Sequence, residues 1–63
     1  MTYKQHPKFL AIARHVELGE YYGARYDAWG HKEDLDLAIS HETAAFRLRN
    51  EMETELGNLN TAA

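Results

Sequence analysis

Residues 7–29, PKFLAIARHVELGEYYGARYDAW, carry a narrow seam of Phe9, Ile12, Val16, Gly19 and Gly23, spaced alternately by three and four. That is the period of an α-helix pressed against another helix. The two glycines constrain the answer most. In a helix interior each costs about 1 kcal/mol relative to alanine, so their presence predicts a neighbour too close for a side chain. A helix built to receive other helices is the expected centre of this chain.

The same helix carries a second apolar face. Leu18, Tyr22, Tyr26 and Trp29 gather more than roughly 90° away from the seam, with Ala11 and His15 above them. A helix lying on one core needs one stripe, and two stripes predict two neighbours. His6-Pro7 marks the helix start, because proline at the first position loses no hydrogen bond and pushes the preceding residue into an extended conformation. Met1 to Gln5 are expected to fray.

Gly30-His31-Lys32 predicts a tight turn, with Gly30 in the left-handed C-cap conformation. A second helix is expected from about Glu33 to Leu56, its first turn enriched in acids that suit the positive end of the helix dipole. Its main stripe is Ala38, Ala45, Met52 and Leu56, widened by Leu37, Ala44 and Leu48. A second stripe, Leu35, Ile39 and Phe46, lies roughly 100° away. Gly57-Asn58 predicts a stop, leaving residues 57–63 as a loose tail.

A short turn makes the helices antiparallel neighbours, so the numbers of facing residues should add up to about 61. Phe9 then meets Met52, Val16 meets Ala45, Gly23 meets Ala38 and Tyr26 meets Leu35. Gly19, Gly23, Ala38 and Ala45 are the expected helix crossing. The fold class is all-α: a single antiparallel two-helix hairpin domain. The uncovered residues, Leu18, Tyr22, Tyr26, Trp29, Leu35, Ile39 and Phe46, are the expected interface, since an apolar patch of that size on a small protein marks a contact surface. Two hairpins related by a two-fold axis would close into a four-helix bundle.

Size supports that expectation. A chain of 63 residues buries only about 60% of its unfolded surface and needs reinforcement. The absence of cysteine excludes disulfides and thiolate zinc sites, which leaves oligomerisation. With 44% hydrophobic residues there is apolar surface enough to fold. The net charge of −3 and the lack of a basic run argue against nucleic acid as a partner. No stretch approaches the roughly 18 apolar residues of a membrane span, so a cytoplasmic protein with no membrane contact is expected.

No residue pattern names a reaction. His6, His15, His31 and His41 form no Glu-x-x-His pair of the kind that helical bundles use for metals. No metal or cofactor is expected, and His41 suits the edge of the core. Glu20 and Glu42 face the same hairpin interior but suit a boundary pair better than a catalytic one, with Glu42 near Arg49 or a second subunit. Arg47 and Arg49 each precede a glutamate by four, Glu51 and Glu53, as solvated helix pairs do. No nucleophile sits beside a base and no glycine-rich phosphate loop is present, so no catalytic residue is assigned. Tyr21, Tyr22, Tyr26 and Trp29 are the strongest binding candidates, because Tyr and Trp dominate binding hot spots.

Taken whole, HPKFLAIARHVELGEYYGARYDAWGHKEDLDLAISHETAAFRLRNEM resembles the 63-residue small early protein of the exo–xis region of lambdoid temperate phages. The resemblance spans nearly the whole chain and contains no catalytic motif. It implies a regulator of host physiology or of the lytic–lysogenic choice, acting through protein contacts in the bacterial cytoplasm. The expectation is a non-catalytic homodimer that binds a host or phage protein. The alternatives are a small nucleic-acid-associated helical bundle, or an acidic decoy using Glu51, Glu53 and Glu55.

Overall fold

The computed structural model describes residues 3–62, with side chains described over residues 4–57. Two helices, α1 (Pro7–Trp29) and α2 (Lys32–Ala62), pack against each other as an antiparallel hairpin. Met1 and Thr2, expected to fray, lie outside the described residues, while Tyr3–Gln5 forms a short 3-10 turn that contacts α1.

The helix ends follow from local chemistry. His6 takes the extended conformation (φ −74°, ψ 136°), and its Nδ1 accepts the backbone N–H of Lys8 at 3.1 Å, capping one of the orphan donors of α1. Gly30 turns left-handed (φ 69°, ψ 20°), which lets its N–H donate to the Tyr26 carbonyl at 2.7 Å. The His31 carbonyl then accepts from Asp34 at 3.1 Å and Leu35 at 3.4 Å, so the turn is Gly30-His31 and α2 starts one residue before Glu33.

The far end of α2 differs from the expected stop at Gly57. The helix continues to Ala62, and Ala63 lies outside the described residues. Among the described residues Gly30 alone has a positive φ, so Gly57 keeps a helical backbone. A glycine weakens a helix but ends it only when it turns left-handed, and Gly57 does not.

The core is thin. Among the described residues Ala38, Ala45 and Met52, spaced by seven along α2, are the buried apolar side chains, with Gly19 buried on α1. Among the described residues no large side chain is fully buried. The molecule measures 51 × 15 × 12 Å, and its radius of gyration of 14.6 Å exceeds the roughly 11 Å of a compact chain of this length.

The closest approach falls at Gly19, where an added Cβ would lie 3.3 Å from Glu42 Cγ and 3.6 Å from the Ala38 carbonyl oxygen. Gly23, expected at the crossing opposite Ala38, lies outside it, because an added Cβ there would meet nothing within 4 Å. Two helices approach most closely over a short stretch and separate on either side of it, and that stretch belongs to Gly19.

Candidate interaction surface

The hairpin presents two faces of different chemistry. His15 and Val16 are consecutive in α1 and fall on either side of Gly19, where the helices come closest, so each marks one face.

The Val16 face is a groove between the helices. Ile12, Val16, Glu20, Glu42, Ala45, Phe46 and Arg49 line a depression of about 350 Å³. A second depression of about 310 Å³, lined by Phe9, Ile12, Arg49, Met52 and Glu53, continues from it through the shared Ile12 and Arg49. The groove brings together the two expected pairs Phe9–Met52 and Val16–Ala45. Two large apolar side chains that line it stand in water, Phe46 at 66% exposed and Val16 at 43%, and Ile39, about two helical turns before Phe46 on α2, is 51% exposed. The Glu20 and Glu42 carboxylates line the same groove, and neither has an ion pair among the described residues.

The His15 face is polar and aromatic. His15 Nδ1 and His41 Nδ1 lie 2.9 Å apart, so one ring donates and the other accepts, which requires at least one neutral imidazole. Tyr22 stacks on His41, with centroids 5.8 Å apart and planes 5° from parallel. Tyr21 meets Tyr22 edge-on at 5.1 Å. His41 is thus half-buried at the core edge, held by two side chains of α1.

Near the turn, Arg25 organises the aromatic residues. Its guanidinium lies 5.6 Å from the Tyr21 ring centre and 5.0 Å from that of Trp29, within reach for cation–π attraction. Arg25 Nε donates to Asp34 Oδ1 at 3.3 Å and a second nitrogen donates to the Tyr21 hydroxyl, also at 3.3 Å. The Tyr21 hydroxyl first, and the buried Asp34 carboxylate after it, raise the Arg25 pKa. Trp29 remains 61% exposed.

At the open end, His6 Nε2 meets Glu55 Oε2 at 2.7 Å, and Lys8 Nζ bonds the other oxygen of the same carboxylate. Lys8 also lies 3.6 Å from Glu51. The hydrogen bond from Lys8, ahead of that from His6, holds the Glu55 carboxyl below the usual carboxylate range, and Glu55 in turn raises Lys8. Glu51 therefore faces Lys8 across the hairpin, and no ion pair joins it to Arg47, whereas Arg49 pairs with Glu53 at 3.3 Å along the helix.

The expected interface residues do not share one surface. Tyr22 belongs to the His15 face, whereas Phe46 borders the groove. Leu18, Tyr22, Tyr26 and Leu35 are half-buried, and Trp29, Ile39 and Phe46 are exposed. The reason is angular: the second stripes of α1 and α2 sit on opposite sides of the plane containing both helices. Sequence reasoning singles out Tyr21, Trp29 and Glu55 but neither Arg25 nor the pairing of Glu55 with His6 and Lys8. Both carried a signal, since Tyr21, Arg25 and Trp29 are spaced by four and the numbers of His6 and Glu55 add up to the expected 61.

Among the described residues there is no group of three or more His, Cys, Asp or Glu side chains placed to hold a metal ion, and no helix is long and apolar enough to cross a membrane. No protein-family model, curated protein or solved structure matches the chain.

Proposed function

We propose that the chain is a non-catalytic homodimer that acts through protein–protein contacts, as an accessory regulator of the kind its resemblance to phage exo–xis region proteins implies. The observation that carries the reading is the mismatch between core and surface. Among the described residues the buried apolar side chains are two alanines and one methionine, while Phe46 and Val16 stand in water beside an open groove and Ile39 is exposed as well. Covering one such side chain is worth roughly 1.5–3 kcal/mol, a large share of the stability available to a domain of this size. Folding and self-association are therefore coupled, and the host cytoplasm is the proposed setting.

Sedimentation equilibrium at micromolar concentration tests the dimer, and melts over a range of concentrations test the coupling. The expected result is a dimer whose melting temperature rises with protein concentration. A well-folded 7.3 kDa species would defeat it. Affinity capture from host lysate with parent and Trp29→Ala proteins tests the foreign contact. Loss of a captured protein in the variant assigns that contact to the aromatic cluster, and unchanged capture removes the cluster from the proposal.

A further inference from the structure

We infer that the groove is filled by a second copy of this chain in one defined register, with the dyad beside Phe46 and reciprocal Glu42–Arg49 ion pairs across it. This inference rests on the dimer reading above and adds the surface and the register to it.

Three observations select this arrangement. The first is charge. Glu42 and Arg49 line the same groove, on either side of Phe46, and Glu42 has no ion pair of its own among the described residues. If two copies of α2 run antiparallel about a dyad between residues 45 and 46, Glu42 of each copy falls opposite Arg49 of the other. An isologous contact requires this kind of self-complementarity, and the groove carries it in its own sequence. Arg49 exchanges the Glu53 contact, an exposed pair on one helix that is worth little, for a partner in a drier place.

The second is shape. The same register sets Phe46 of each copy beside the first depression of the other. It sets Ile39 opposite Met52, which lines the second depression. The two most exposed apolar side chains of the α2 stripe thus find the two depressions of the second copy. Any register shifted by a helical turn leaves Glu42 facing an apolar residue or its own like.

The third is area. A compact protein of 7.3 kDa exposes about 4200 Å². The hairpin exposes 4856 Å², which is roughly 700 Å² more. A standard stable interface covers about 800 Å² on each partner. The extended hairpin thus carries spare surface of about the amount that one such contact would cover. The His15 face and the Arg25–Trp29 cluster stay outside it, open to a different protein.

Charge exchange tests the register. Glu42→Arg and Arg49→Glu should each weaken self-association about tenfold or more, because each sets like charges face to face twice per dimer. An equimolar mixture of the two variants restores both pairs in the heterodimer. The double variant Glu42→Arg/Arg49→Glu restores them in a homodimer. Both should sediment as the parent dimer does, and both should regain helicity if the single variants lose it. Single variants that dimerise like the parent, or a mixture and a double variant that stay dissociated, overturn the register while the parent's own dimer stands. A monomeric, folded parent overturns the dimer reading itself.

Discussion

His6, the N-cap of α1, and Glu55, near the far end of α2, lie 2.7 Å apart across 49 residues of sequence. The contact joins the residue that caps the start of one helix to the C-terminal half of the other. One carboxylate therefore holds two residues of the α1 start, His6 and Lys8. This end of the hairpin has no covalent turn, so side chains do the work that Gly30-His31 does at the opposite end.

The clamp should be sensitive to acid and to strong base. Glu55 has a lowered folded-state pKa, so its contribution is complete above its unfolded value and is lost as pH falls through the folded one. Lys8 is raised, so its contribution is complete below its unfolded value and is lost as pH rises through the folded one. Thermal melts of the parent should show a drop on the acid side within the carboxylate range. Glu55→Gln should lower the neutral-pH melting temperature and flatten that drop. An unchanged acid limb in the variant would remove Glu55 from the clamp.

The two seam glycines should respond in opposite directions. Gly19→Leu forces a branched side chain against Glu42 and the Ala38 carbonyl and should destabilise by about 1–3 kcal/mol. Gly23→Ala adds a Cβ in open space on a helical backbone and should stabilise by about 0.5–1 kcal/mol. Urea unfolding followed by circular dichroism measures both. Equal effects at the two sites would mean that the crossing is not at Gly19.

Removing Arg25 should disturb Trp29 as well as stability. Arg25→Ala takes away the ring contact and leaves the buried Asp34 carboxylate without its guanidinium. The expected outcome is a lower melting temperature together with a shift in Trp29 fluorescence. Arg25→Lys should recover only part of either, because an ammonium lacks the planar fork that reaches Asp34 and Tyr21 together.

Of the two facing histidines, His41 carries more contacts. His41→Ala removes the His15 bond and the Tyr22 stack together, whereas His15→Ala leaves the stack in place. The His41 variant should be the less stable by about 0.5–1.5 kcal/mol, the usual worth of an aromatic pair. Chemical denaturation of the two variants at neutral pH gives the comparison.

Local order was legible in the sequence because its causes are local. The N-terminal end of α1 at His6-Pro7, the left-handed cap at Gly30 and the acids opening α2 each depend on residues a few positions apart. The 3–4 spacing and the shortness of the turn were enough to set Ala38, Ala45 and Met52 inward and to pair Phe9 with Met52. Which glycine marks the crossing was decided by the approach of two whole helices, and period alone does not say where they come closest. The tertiary structure also separated Tyr22 from Phe46, because the side of the hairpin a stripe occupies depends on how each helix is rotated about its axis. Gly57 shows the same division from the other direction: its glycine chemistry permits a stop, but its backbone keeps a helical φ and α2 runs on. Contacts such as Glu55 with His6 arise only when the chain ends are brought together, since a carboxylate and an imidazole 49 residues apart have no interaction until the hairpin closes.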